Sequence, residues 1–353
     1  MVINMNHEID ISKYKIRTDL IIESIKNYKN IPGIKESVKT IDNIQVVEVK
    51  IEENMEDIFN KKKGIYKTII FDDITDTTNR KKVEEVFTSE LLNLFNSLSI
   101  DKNKTCLVVG LGNERSTPDA LGPKVIENIF VTRHLFLLEG SNIEEGFRNV
   151  SAFSPNVMGS TGIESKDFIL GLINRVKPDF IIIVDALASS SINRVNKTIQ
   201  MTDSGIAPGS GVGNARDEIS KETVGIPVIA IGVPTIVDAV TIVNDTFEYL
   251  VKQVSYNKEQ LNNHKSKLIP AYKRNYLTHN KTLTNEEKTK LLGLLGNLSL
   301  EERKSLIFEV LSPIGYNLMV TPKEVDFVID KLSLLLSTGI NRCLHEKYNK
   351  TKK

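Results

Sequence analysis

Apolar and polar positions follow two distinct periods along this 353-residue chain. Alternation with period two over Ile44–Ile51 and Tyr66–Phe71 predicts two half-buried strands. Between Lys81 and Leu98 the residues Val83, Val86, Phe87, Leu91, Leu94, Phe95 and Leu98 recur at helical spacing, which predicts an amphipathic helix. Three short runs, Thr105–Gly110, Asp179–Asp185 and Ile226–Gly232, are apolar nearly throughout and rich in Val and Ile. Such runs predict strands buried on both faces. Helical patterns accompany them over Asp119–Val131, Ser165–Val176 and Thr235–Gln253. Strands and helices in alternation predict parallel βαβ units, hence an α/β fold with a doubly wound, mostly parallel sheet flanked by helices.

The two ends of the chain have a different character. The first forty residues are polar and irregular, and 254–282, rich in Asn and Lys, reads as an irregular excursion. Three helices are predicted beyond it. Thr284 stands ahead of Glu287, and Ser299 ahead of Glu302 as a capping box, while Thr321-Pro322 opens the third with Pro at its first position. The expected layout is an α/β core over 20–260 and a helical C-terminal region over 261–353 packing on it.

Composition narrows the classes of function. Lys and Arg number 46 against 45 Asp and Glu, leaving no net basic field to recruit nucleic acid or an anionic membrane. No apolar run reaches the roughly 18 residues of a membrane span. The opening MVINMNHEIDISKYK has neither the basic start nor the apolar stretch of a secretion signal. Cys106 and Cys343 lie far apart and make neither a disulfide framework nor a Cys-rich zinc site. A cytosolic, reduced protein is expected.

Candidate chemistry belongs beyond the carboxyl ends of the parallel strands, where open α/β sheets bind ligands. The first buried strand runs into Gly110-Leu-Gly-Asn113 and Thr117-Pro-Asp119, and the second ends in Asp185-Ala-Leu-Ala. Asp119 alone reads as an acid at a helix N-terminus, and Asp185 alone as a strand-end cap. Jointly they are more informative. Two carboxyls at one sheet edge cannot both ionise readily, so one keeps a proton, and an acid and a base share one site. That combination serves water-mediated amide hydrolysis. Which acid takes which role is open.

Other chemistries find less support. His134 falls about four turns beyond Asp119 if the helix runs on, and Cys106 sits mid-strand as packing. Gly110-Leu-Gly112 lacks the third glycine of a dinucleotide turn. The stretch Ser204–Arg216 lacks the lysine of a phosphate loop and reads as a surface loop. No cofactor is expected.

At these residues the chain resembles the germination protease family of spore-forming bacteria, atypical aspartic peptidases related in fold to hydrogenase-maturation peptidases. The resemblance lies in Asp10–Leu20, Gly110–Asn113, Thr117–Pro123, Val131–Leu135, Gly159–Glu164, Val184–Ala188, Asp203–Arg216 and Asn317–Val325. It implies an endopeptidase that begins the degradation of small acid-soluble spore proteins at germination, with Asp119 and Asp185 as its catalytic acids. It further implies a zymogen whose propeptide, residues 1–19, leaves by self-cleavage of the Asp19–Leu20 bond. Good substrates in the family carry an acid three positions before the scissile acid and Ala two positions after the bond. Ile16 and Ile21 stand there, which implies a poor processing site. A homotetramer in the forespore and spore core, without direct contact to nucleic acid or membrane, completes what the resemblance implies.

Three other readings use the same residues. In the first, the acids are metal ligands of a metal-dependent peptidase or maturation factor, although two acids without a core histidine are a thin donor set. In the second, the glycine-rich loops bind a nucleotide. In the third, the acids only cap helices in an assembly protein.

Overall fold

A computed structural model describes residues 18–25, 33–53, 56, 61–138, 143–212, 216–261, 276, 281–311 and 318–350. Of the expected propeptide, Thr18 and Asp19 are within these ranges and 1–17 lie outside them. The described residues fall into two compact units, Arg17–Ile236 with Thr321–Lys353, and Val237–Val320.

The larger unit is an α/β sheet flanked by helices. Its strands are β1 (Ile34–Ile41), β2 (Ile44–Ile51), β3 (Gly64–Ile70), β4 (Cys106–Gly110), β5 (Val150–Phe153), β6 (Phe180–Ser189), β7 (Thr198–Thr202) and β8 (Val228–Asp238), in the spatial order β1-β2-β3-β7-β8-β6-β4-β5. Strand β4 pairs in parallel with both β5 and β6, whereas β1-β2, β2-β3, β3-β7 and β7-β8 pair antiparallel. The parallel character read from the buried runs thus belongs to the β6-β4-β5 part, and the antiparallel ribbon extends it.

Period-two alternation divides β6 between two cores. Ile182 and Val184 face a cluster with Ile199 and Ile231, covered by Phe87 and Leu91 of the Thr77–Ser97 helix and by Ile329, Leu336 and Ile340 of the Val325–Leu344 helix. Ile181 and Ile183 face the opposite cluster, with Leu107, Val109 and Ile169 of the Ser165–Val176 helix. Burying each such side chain contributes about 1.5–3 kcal/mol. Gly339 lets the last helix approach closely, because a Cβ there would overlap the Phe87 ring.

Several expectations are corrected. The helix after β4 is short: a 3₁₀ turn over Thr117–Asp119 and then Leu121–Ile126. Beyond it Asn341 takes over the backbone, accepting from Phe130 N at 2.9 Å and donating to Asn128 O at 2.9 Å, so the chain turns away instead of continuing to 131. Strand β8 runs to Asp238 rather than 232, through the β-branched Thr235-Ile236-Val237 that suits a strand. The following helix, Ala239–Leu261, therefore starts later and runs on into the segment expected to be irregular. The last helix starts at Val325, three residues beyond Pro322. The core boundary expected near 260 falls at Val237, and Thr321–Lys353 belongs with the sheet because the last helix supplies part of its core.

Among its described residues the smaller unit has α-helices over Ala239–Leu261, Asn285–Leu292 and Leu300–Leu311, with β9 (Met319–Val320) pairing to Val237 and Asp238. Val240, Val243 and Phe247 pack on Ile307, Phe308 and Leu311. The capping box expected at Ser299 with Glu302 forms, and the cap expected at Thr284 is itself a capping box with Glu287.

Candidate active site

Parallel pairing of β4 and β6 aligns Gly110 with Val184, and Leu111 N donates to Val184 O at 2.8 Å. The chain therefore leaves β4 alongside Asp185, the next residue of β6. Gly112 has φ +115°, in the region that favours glycine, and a Cβ there would overlap the Asp119 carbonyl oxygen. The loop closes on itself through that contact. Asp119 ends the 3₁₀ turn, and its Oδ2 accepts from Asn113 N at 2.8 Å. Thr235 Oγ donates to Pro118 O at 2.7 Å, fixing the turn from the end of β8, while Thr321 Oγ donates to the Thr235 carbonyl at 2.9 Å.

Asp185 is only 6% exposed, and among the described residues the hydrogen bond to its carboxylate comes from its neighbour Ala186 N, at 2.9 Å. Burial pushes its pKa well above the ordinary carboxylate value, and the nearby charges of Asp119 and then Asp19 push in the same direction. Asp119 is partly buried and also raised by desolvation, with the Asn113 amide opposing. Both carboxyls are thus held above the ordinary carboxylate value, Asp185 by deeper burial and by the charges of Asp119 and Asp19.

The bond expected to be processed is docked on the strand that carries Asp185, three residues further along it. Asp19 N donates to Ala188 O at 3.1 Å, and Ala188 N returns a bond to Asp19 Oδ2 at 2.8 Å. Ser210 Oγ donates to Asp19 Oδ1 at 2.8 Å, and a Cβ at Gly211 would overlap the same carboxylate. The Asp19 carbonyl oxygen accepts from Lys61 Nζ at 3.0 Å and from Gln200 Nε2 at 3.0 Å. The Gln200 side chain also reaches past Leu20, its Oε1 accepting from Ile21 N at 2.7 Å. Leu20 and Ile21 are fully buried against Val47, Val49, Tyr66 and Leu187. One turn on, Glu23 accepts from Ser189 Oγ at 2.7 Å and Ser190 N at 2.8 Å, and pairs with Arg194 at 3.2 Å.

Sequence reasoning selected Asp119, Asp185, Asp19 and Leu20: Asp119 ends the turn after β4, Asp185 lies within β6, and Asp19, just ahead of Leu20, pairs with Ala188 of the same strand. It missed Lys61, Gln200 and Ser210. The Ser204–Arg216 stretch, read as a bare surface loop, in fact touches the Asp19 carboxylate. Lys61 carries no local signal, but Gln200 had one: it is the polar residue between Ile199 and Met201, which face the core. His134 is exposed, Arg216 is 3.2 Å from Glu164, and Cys106 and Cys343 are buried free thiols whose pKa values burial pushes up. Among the described residues no three His, Cys, Asp or Glu side chains converge as metal donors, and no helix is long and apolar enough to cross a membrane.

A buried acid pair at the edge of an α/β sheet, beside a bound extended segment, is the outline of a hydrolytic enzyme, and comparison with known proteins narrows the class to endopeptidases. The chain belongs to the germination protease family, whose family model matches residues 14–353. It is 46% identical over 361 residues to the germination protease of Geobacillus sp. (strain WCH70), covering 97% of each chain. To that of Bacillus subtilis (strain 168) it is 45% identical over 361 residues, with 98% of each chain covered. To that of Bacillus velezensis the identity is 47% over 363 residues, covering 99% of this chain and 98% of the relative. Among solved structures, the NiFe hydrogenase maturation protease HycI of Thermococcus kodakarensis KOD1 matches 41% of this chain and 80% of its own, at 20% identity and a TM-score of 0.27. The fold is defined by the chain's own strand order and not by that likeness.

Proposed function

We propose that this chain is a self-processing endopeptidase zymogen in which Asp119 and Asp185 work as an unequal carboxylate pair. The observation that carries the reading is the docking of Asp19–Leu20 at the end of β6, where the Asp19 charge acts on Asp185. Asp119, ionised, takes a proton from a water. Asp185, protonated, donates to the leaving nitrogen of Leu20. The site reads the scissile acid through Ala188 N and Ser210 Oγ and the residue after it through an apolar pocket, in keeping with cleavage between an acidic and an apolar residue.

Family membership supports small acid-soluble spore proteins as substrates, since an extended, flexible chain can pair with β6 at Ala188 as Asp19 does. The same membership supports a homotetramer acting in the forespore and spore core. The test is incubation of wild type, Asp119→Asn and Asp185→Asn with a small acid-soluble spore protein. Wild-type cleavage after an acidic residue, with loss in both folded variants, is expected. Cleavage at the wild-type rate by both variants would sink the pair.

A further inference from the structure

We propose that Lys61 and Gln200 are catalytic residues that polarise the scissile carbonyl and hold the oxyanion formed when water adds to it. The proposal rests on the self-processing reading above. Both donors meet the Asp19 carbonyl oxygen at 3.0 Å, from different elements: Lys61 just ahead of β3, Gln200 from the middle of β7. Two converging N–H donors on one carbonyl are what acyl-transfer sites use to stabilise a tetrahedral oxyanion.

The surroundings favour this role over simple anchoring. Gln200 is buried, and both ends of its amide are engaged: oxygen to Ile21 N, nitrogen to Asp19 O, so the two ends bracket Leu20. This fixes which way the amide points. The Lys61 ammonium donates to two successive carbonyls, Thr18 O at 3.1 Å and Asp19 O at 3.0 Å, and among the described residues no carboxylate accepts a hydrogen bond from it. Burial lowers its pKa while the nearby Asp19 and Glu23 charges oppose the fall. A desolvated cation aimed at a carbonyl rather than paired to an acid gains most when negative charge appears on that oxygen.

The chemistry balances with the groups present. As the water oxygen bonds to the Asp19 carbonyl carbon, its proton passes to the Asp119 carboxylate and the C=O π pair moves onto the oxygen held by Lys61 and Gln200. Collapse re-forms C=O and breaks the C–N bond, and the Leu20 nitrogen takes the proton of Asp185. The products are an acid at Asp19 and an amine at Leu20. The proton taken by Asp119 then returns Asp185 to its protonated form.

The experiment follows the appearance of a Leu20 N-terminus by intact mass and N-terminal sequencing, using the full chain at mildly acidic pH. Wild type, Asp185→Asn, Lys61→Met and Gln200→Met are compared, with circular dichroism to confirm folding. In the uncleaved Asp185→Asn background, hydrogen exchange at Ile21 N–H reports whether the segment stays docked when Lys61→Met is added. Expected is a fall of about 100-fold or more in rate for each donor variant, with Ile21 protection unchanged by Lys61→Met, since Lys61 does not touch that amide. If Lys61→Met fails to fold, Gln200→Met carries the rate test. A wild type that cleaves while the folded donor variants keep its rate overturns the carbonyl role and leaves self-processing standing. Rate and Ile21 protection lost together overturn it in favour of anchoring. A wild type that yields no Leu20 end overturns the self-processing reading itself.

Discussion

Asp185 is a strand residue with the chemistry of a site and the burial of a core position. Its carboxyl is isosteric with an amide when protonated and costly when ionised, because burial and the Asp119 charge both oppose the anion. Its pKa is raised on folding, so the stability it supports is complete below the ordinary carboxylate pKa of about 4 and is lost as pH rises through the folded value. Asp185→Asn should therefore melt near wild type at pH 4 and above it at pH 7, read by thermal unfolding at the two pH values. An equal melting temperature at both would show that Asp185 titrates normally. At Asp119 the same logic runs through the partner: Asp119→Asn removes a charge that holds the Asp185 proton, so in that background Asp185→Asn should raise the pH 7 melting temperature by less.

Elements set where these acids stand. The loop from β4 to the 3₁₀ turn is held by Gly112, whose φ and close approach to the Asp119 carbonyl no side chain can share. Gly112→Ala should leave a folded protein with displaced Asp119 and roughly 100-fold slower cleavage, the usual consequence of misplacing a reacting group by about 1 Å. Cleavage by this variant at the wild-type rate would separate Asp119 from the chemistry. Gly339→Val should instead cost about 1–3 kcal/mol of stability through overpacking on Phe87, measured by denaturant unfolding. What the sequence made legible follows from how strongly each element is buried. The runs behind β4, β6 and β8 are apolar on both faces and could be read directly, and the helix at Ser165–Val176 has the predicted bounds. Strand β1 escaped because it is an exposed edge strand with no buried face; its one local sign is the two-residue Asp42-Asn43 turn, with Asp42 at φ +50°. Asp185 was legible because a carboxylate directly after the apolar run Phe180–Val184 is anomalous, although β6 itself runs on to Ser189. Lys61 was not, because a lysine among Lys61-Lys62-Lys63 has no such contrast until the fold buries it.

At the scale of the whole molecule, the proposed self-processing would draw on a sheet edge, a tight glycine loop and a docked segment at Asp19–Leu20. Leu20 and Ile21 are buried in the β2–β3 cluster, so a new end at Leu20, once formed as proposed, would remain seated. With a carboxylate pair as the whole acid–base set, spore-protein cleavage should continue at an unchanged rate after exhaustive chelation and dialysis; a rate restored only by added divalent metal would make the acids ligands instead. The most direct measurement is isotope-edited infrared spectroscopy of the full chain with ¹³C-labelled Asp carboxyls, taken as the difference between wild type and Asp185→Asn across pH. A protonated Asp185 band that persists above the ordinary carboxylate range, and shifts to lower pH when Asp119→Asn is introduced, is the predicted result. An Asp185 that ionises in the ordinary range, or one indifferent to Asp119, would contradict the unequal pair.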